Sequence, residues 1–252
     1  MSELAPQILR FDSLPSTNLE AARRALEGAP EGLCVVAGEQ TAGRGRHQRQ
    51  WVSPKDAGLY FSIILRPRFE QSDWPLLTLM TAIAVHDALL DVCSLETDIK
   101  WPNDILVNEK KLCGILAETV ETSLGRAVVV GIGINLTSKS FSPDLNGIAS
   151  SVEAATGNSP EVEILLGALA RALITNYQRL QHRGGPEVFV GEWCARSSYA
   201  TGKRIRVSES DENFSGITCG LEPDGALRVE TDDGEIRIVR AGDVTVVRPI
   251  SV

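Results

Sequence analysis

Residues 112–135 read LCGILAETVETSLGRAVVVGIGIN. Apolar residues crowd both ends, and the polar middle carries Gly125, so the pattern predicts two strands, 112–118 and 127–135, joined by a glycine-bearing turn. Towards the N-terminus, LYFSIIL at 59–65 has the form of a buried strand and residues 8–13 predict another. Leu14-Pro15 then breaks into a helix predicted over 17–27, with Thr17 and Glu20 spaced as a capping box. Apolar positions 76, 79, 80, 83 and 90 predict a helix over 73–92 with Asp73 as its N-cap.

Beyond the pair of strands, a Ser/Gly/Asn-rich connection spans 137–158, and Ser159-Pro160 opens a long helix with Leu166, Leu169, Leu173, Tyr177 and Leu180 on one face. Gly184-Gly185-Pro186 stops it, and a shorter helix runs to 194. From 203 the period becomes two, in RIRV, SGITCGL, ALRVE, EIRIV and VTVV, with turns at Pro223-Asp224-Gly225 and Asp232-Asp233-Gly234. Five such short strands predict a small SH3-like β-barrel. Strands and helices do not alternate regularly, so the expected class is α+β, with an α+β domain over 1–199 and a β domain over 200–252.

The chain has 252 residues, 43% apolar and 23% charged, which excludes disordered and fibrous classes. With 25 Lys+Arg against 33 Asp+Glu the net charge is -8, so neither a nucleic-acid nor a membrane partner is expected and any anion must be bound locally. The longest run of apolar residues and glycine, 127–134, is far short of the roughly 20 residues of a bilayer helix. The N-terminal MSELAPQILRFD has neither a basic n-region nor an apolar h-region. Cysteines 34, 93, 113, 194 and 219 are odd in number and never form C-x-x-C, which fits reduced thiols in a cytoplasm better than disulfides or zinc.

Phosphate-loop, H-E-x-x-H and G-x-S-x-G motifs are absent, and the G-x-G pairs at Gly43/Gly45 and Gly131/Gly133 lack the third glycine of a dinucleotide fingerprint. Histidines 47, 86 and 182 are scattered, and His86 reads as structural. GRGRHQRQW at 43–51 is the strongest signal: its glycines let the backbone approach an anion, and Arg44, Arg46 and Arg49 offer forked donors to carboxylate or phosphate. The same stretch fits a solvated arginine arm. In KWPNDILV at 100–107, Pro102 places Asn103-Asp104 at a strand end or turn, facing either a site or water. Lys111 stands at the mouth of a strand containing Gly114, and Gly131 and Gly133 lie in the next one, which ends at Asn135; glycines in strands mark close approach of a ligand or of other protein atoms. Ser16-Thr17-Asn18 are cap-type residues whatever else they do.

Taken in order, STN at 16–18, EQTAGRGRHQRQW at 39–51, KWPNDILV at 100–107, KLCGIL at 111–116 and GIGINL at 131–136 resemble the signature set of the biotin protein ligases. The resemblance implies a mixed-sheet catalytic domain related to class II aminoacyl-tRNA synthetases and lipoate ligases, followed by an SH3-like module. The implied reaction joins biotin to ATP as biotinyl-5′-adenylate and passes the biotinyl group to a lysine of a biotin carboxyl carrier domain, of acetyl-CoA carboxylase or a related enzyme. Magnesium is implied with the ATP, and a homodimer is compatible with the family.

By the same resemblance Ser16, Thr17, Asn18 and Gln40 bind the ureido ring, with Gly43, Arg44, Gly45 and Arg46 around it. The valeryl chain is implied to run in a slot left by Gly114, Ile115, Gly131 and Gly133, and Lys111 to hold the carboxyl group. Arg49, Trp51, Lys100, Asn103 and Asn135 fall to ATP, Asn103 on the phosphates or their magnesium and Asn135 on the adenine edge. Lys111 and Arg46 are the implied catalytic cations, and Asp104 the group that orients or deprotonates the incoming lysine. Residues 43–49 are expected to order over bound ligand. His47-Gln48 departs from a more basic pair in some relatives, and a catalytic strand beginning by residue 8 leaves operator binding unexpected. No site residue is carried onto the β module. A lipoate or octanoate ligase, a non-catalytic binder of biotin or its adenylate, and an RNA-binding arginine-glycine module are the competing readings; charge and few aromatics oppose the last.

Overall fold

A computed structural model describes residues 6–142, 145, 147–208 and 213–246. Twelve strands and five helices follow in chain order among the described residues: β1 Gln7–Phe11, α1 Thr17–Leu26, β2 Leu33–Ala37, β3 Gly58–Leu65, α2 Leu76–Cys93, β4 Asp98–Lys100, β5 Asp104–Val107, β6 Lys110–Thr122, β7 Gly125–Asn135, α3 Val152–Thr156, α4 Val162–Leu180, α5 Gly185–Ala195, then β8 Thr201–Ser208, β9 Asn213–Leu221, β10 Leu227–Thr231, β11 Ile236–Val239 and β12 Asp243–Val246.

The first seven strands form one mixed sheet in the order β1-β2-β3-β7-β6-β5-β4, in which β1 and β2 are parallel and every other neighbour is antiparallel. β1, α1 and β2 make one βαβ unit, which the sequence reading lacked because β2 (LCVVA) stands apart from any periodic segment. The predicted pair at its centre is β6 and β7, longer than expected at both ends of the turn and joined around Gly125, whose φ is +91°.

One face of this sheet carries α2, α4 and α5 over the main core, including Ile115, Val130, Ile132, Leu166, Leu169, Leu173, Tyr177 and Trp193. The face predicted for the long helix is therefore the buried one. The other face carries α1, on a smaller core of Ala21, Ala25, Val35, Ile64 and Val129. The span Gln71–Cys93 is long and apolar enough to cross a membrane, but it is mostly buried inside this core.

Several helix boundaries differ from expectation for local reasons. α2 starts after a 3-10 turn at Gln71–Asp73, with Pro75 at the N-cap in place of Asp73. Gly184, at φ +80°, begins α5, with Pro186 in its first turn, and α4 has already ended at Gln181. The connection 137–158 contains α3, capped by Ser151.

β8 to β12 form a separate five-stranded antiparallel sheet in the order β11-β10-β9-β8-β12, the expected β module. Residue 247, the last of the predicted VTVV strand, lies outside the described residues. The module is docked on the first sheet: Trp101 Nε1 donates to Gly225 O at 3.0 Å, and a carbon added at Gly225 meets Leu79 at 2.8 Å.

Candidate active site

The site is laid out by strand register. One cross-strand row runs Ser62–Gly131–Leu116 and the next Tyr60–Gly133–Gly114–Asp104, all on the α1 side of the sheet. Above these rows lies a cavity of about 340 Å³. Of the predicted residues, Ser16, Thr17, Asn18 and Gln40 line it, as do Arg44, Gly45, Arg46, Arg49 and Trp51, Asn103, Asp104 and Lys111, and Gly114, Ile115, Gly131, Gly133 and Asn135. Segments separated by more than a hundred positions therefore converge on one space.

Gly43 and Lys100 do not line it. At Gly43 an added carbon would meet Trp51 O at 2.3 Å and Ser53 Oγ at 2.8 Å, so this glycine lets the two arms of the arginine loop close on each other. Lys100 is half-buried behind Asp104; burial pulls its pKa down, and the Asp104 carboxylate opposes that.

One end of the cavity is neutral and polar. Ser16 is the N-cap of α1 but makes no cap hydrogen bond, and the predicted capping box does not form, because Thr17 is inside the helix and Glu20 pairs with Arg23 and Arg24. The side chains instead meet one another. Thr17 donates from N (2.8 Å) and Oγ1 (3.1 Å) to Gln40 Oε1, while Gln40 Nε2 donates to Ser53 Oγ at 2.8 Å. Ser62 Oγ lies 2.7 Å from Asn18 Oδ1 and 2.8 Å from Thr17 Oγ1.

The strand glycines that line the cavity also seat the chain's own groups. A carbon at Gly131 would lie 2.0 Å from Asn18 Oδ1, and one at Gly133 2.5 Å from Trp51 Nε1; Gly114 likewise faces Trp51 and Lys111. The absent side chains seat Asn18 and the Trp51 indole on the sheet, so the chain's own groups fill the clearance. Trp51 Nε1 is buried with no hydrogen-bond partner.

The other end is cationic. Lys111 Nζ stands 2.6 Å from Asp104 Oδ1 and 5.3 Å from the centre of the Trp51 ring. Arg46 donates to Asn103 Oδ1 at 3.2 Å and Gly242 O at 3.3 Å, and Asn103 Nδ2 donates to Ile115 O at 2.7 Å. Asn103 is thus engaged at both ends and holds Arg46. Burial lowers the Arg46 pKa, opposed by Asp243 and Asp104. Residues 43–51 form a hairpin closed by Gly45 N to Arg49 O (2.7 Å) and Trp51 N to Gly43 O (3.0 Å), with His47 and Gln48 at φ +52° and +60°.

The sequence reading missed three contributors. Asp243 of the β module pairs with Arg49 and lies 3.8 Å from Arg46 and 3.9 Å from His47. Phe141, Leu145, Ile148 and Ala149 form an apolar rim, tied on by Lys111 N to Ile148 O at 2.8 Å. Glu118 pairs with Arg44 at 2.8 Å beneath the loop. The alternation of β6 places 114, 116 and 118 on one face, a signal that was legible for Glu118; nothing local marks Asp243.

Residues 9–135 match the Biotin/lipoate A/B protein ligase family, and residues 201–247 match the Biotin protein ligase C terminal domain. The chain belongs to the biotin protein ligase family. It is 35% identical over 243 residues to the Bifunctional ligase/repressor BirA of Bacillus subtilis, covering 94% of this chain and 74% of that one. Against the Biotin--[acetyl-CoA-carboxylase] ligase of Paracoccus denitrificans it is 34% identical over 239 residues, covering 91% and 96%. The biotin protein ligase of Aquifex aeolicus, solved in complex with biotin and ATP, superposes with a TM-score of 0.84 at 26% identity, covering 96% of this chain and 99% of that one. This ligase fold is the α+β, mixed-sheet architecture with an SH3-like module expected from sequence.

Proposed function

We propose that this ligase activates the carboxylate of biotin with ATP, forming biotinyl-5′-adenylate and pyrophosphate, and transfers the biotinyl group to a lysine of a biotin carboxyl carrier domain. The observation that carries the reading is the polarity of the one cavity, neutral hydrogen-bonding groups at Thr17, Asn18 and Gln40 and cations at Arg46, Arg49 and Lys111. A cyclic urea suits the first end, and a carboxylate meeting a triphosphate suits the second.

Carboxylate and α-phosphate repel each other, so attack requires that positive groups stand where both sets of oxygens gather. Lys111 meets the carboxyl group and stays beside the acyl phosphate after pyrophosphate leaves. Arg46, braced by Asn103, faces the same oxygens, and Arg49 the outer phosphates. Asn135 Nδ2 is engaged by Ser150 O at 3.0 Å, which leaves its carbonyl oxygen to accept from an adenine amino group. Magnesium enters with ATP as its counter-ion. Closing of residues 43–49 towards the rim of Phe141, Leu145, Ile148 and Ala149 keeps water from the mixed anhydride.

The acceptor lysine must lose a proton before it attacks, and Asp104, beside Lys111, is the group placed to take or direct it. Transfer forms the amide and releases AMP. The carrier is a domain of acetyl-CoA carboxylase or a related carboxylase, and the reaction belongs in the cytoplasm, consistent with free cysteines throughout the described residues. Beyond Gly114, β6 pairs on one side with β7 while β5 has ended, an edge over which a homodimer is also proposed.

The test is the intact mass of a carrier domain after incubation with this protein and MgATP, with biotin, lipoate or octanoate supplied separately. A biotin-sized gain on one lysine, dependent on ATP, is expected. Transfer of another acid in its place would overturn the substrate, and retention of biotin or adenylate without transfer would make the protein a binder.

A further inference from the structure

We propose that Glu118 is a positioning residue that sets the hydrogen-bond polarity of Asn18, so that the pocket accepts N–H donors of a cyclic urea; this rests on the reading of the Asn18 end as the biotin head-group site. Asn18 is 4% exposed, and its side chain sits over Gly131. Its amide nitrogen donates to Glu118 Oε2 at 2.8 Å and to Leu116 O at 3.2 Å. Both N–H bonds are thereby used inside the protein.

A carboxylate only accepts, as does a backbone carbonyl. A flipped amide would set Oδ1 against two acceptors, Glu118 Oε2 and Leu116 O. Glu118 therefore admits one orientation. In it Oδ1 stands on the Gly131 side, among the cavity-lining residues, with one lone pair taken by Ser62 and one available. Asn18 has no donor left for a ligand. It can receive an N–H of a ureido ring, and it offers nothing to a ring sulfur or an ester oxygen.

The second carboxylate oxygen, Glu118 Oε1, lies 2.8 Å from Arg44 Nη2. One side chain on the rigid central strand β6 thus ties the arginine loop to the head-group end. A glutamine here has one donor and one acceptor end: it removes the charge facing Arg44 and makes both Asn18 orientations admissible.

The experiment compares wild type, Glu118→Gln and, as a control expected to bind biotin as wild type does, the exposed change Glu121→Gln on the opposite face of β6. Binding of biotin and of a biotin methylated on one ureido nitrogen is titrated, alongside KM for ATP and thermal unfolding. For Glu118→Gln the biotin Kd is expected to rise about tenfold, the factor that follows when the accepting orientation of Asn18 falls to about a tenth of the molecules. Preference for biotin over the methylated compound should fall by a similar factor, while KM for ATP and the unfolding midpoint stay near wild type. Asn18→Asp, which sets two carboxylates together, should weaken biotin in parallel.

An unchanged biotin Kd in Glu118→Gln overturns the proposal. So does equal weakening of biotin and the methylated compound, which would mark a general structural role. Failure of the wild type to bind biotin at all would instead overturn the head-group reading beneath it.

Discussion

Gly131→Ala is the sharpest test of how the pocket is built. The added carbon falls 2.0 Å from Asn18 Oδ1, 2.8 Å from its Cγ and 3.1 Å from Nδ2. The first contact is about 1.5 Å inside an ordinary van der Waals separation of roughly 3.5 Å. Asn18 cannot retreat in place, because Glu118, Leu116 and Ser62 hold it on three sides. Either β7 moves in the centre of the sheet, at a cost of about 1–3 kcal/mol for overpacking, or the amide swings out. Swinging out gives up one charge-assisted bond, about 1.5–3 kcal/mol, and two neutral ones near about 1 kcal/mol each, part of which water restores. Those bonds lie within the protein and count against the fold; the hydrogen bond that biotin loses with the displaced amide, about 1–1.5 kcal/mol, predicts a Kd about five- to tenfold weaker. Biotin titration with a parallel thermal melt separates the routes: a lower melting point with near-normal affinity marks strand movement, and a lower melting point with weakened binding marks eviction. Near-wild-type values in both would refute the argument that Gly131 exists to seat Asn18.

Arg46→Ala removes two hydrogen bonds at the mouth, to Asn103 and Gly242, and should speed loss of the adenylate about 10- to 100-fold while sparing the fold; single-turnover trapping measures it, and unchanged retention would remove Arg46 from this role. Lys111→Ala should cut biotin-dependent pyrophosphate exchange about 1000-fold or more, because it removes the cation from the cavity and leaves Asp104 unpaired at the same point; exchange within tenfold of wild type contradicts it. His86 is held below its ordinary pKa by burial despite the nearby Asp87, so the folded chain takes up this proton less readily than the unfolded one. Its contribution to stability is therefore present above about pH 6.5 and lost as pH falls below that value. Melting points across that range should drop more steeply for wild type than for His86→Gln, and equal slopes would refute this.

Which features were legible in sequence follows from the range of the forces that make them. Apolar periodicity revealed β3, β6, β7, α4 and the period-two module, because each buries a face of its own. β4, three residues long, exists through its pairing with β5 and has no local pattern to display. The helix start at Ser16 was read as a cap because the residue types are those of caps; their hydrogen bonds go to Gln40, Ser62 and Glu118, partners 23 to 100 positions away. The motifs located most of the cavity lining, whereas the reason for its glycines required knowing what stood above them. Asp243 was beyond reach, since an aspartate before a short strand is unremarkable until Arg46, His47 and Arg49 are found around it.

That carboxylate also gives the molecule an internal order of completion. Arg49 and Asp243 are 194 positions apart, so during synthesis the arginines emerge long before the group that gathers them. The floor of the cavity needs strands no later than β7, and can be in place while the β module is unmade. Only when β12 has joined β8 does Asp243 reach Arg46, His47 and Arg49. A chain that folds its first sheet and fails to add β12 to β8 would lose the counter-charge at the entrance. The mouth of the cavity thus registers that β12 has found its place.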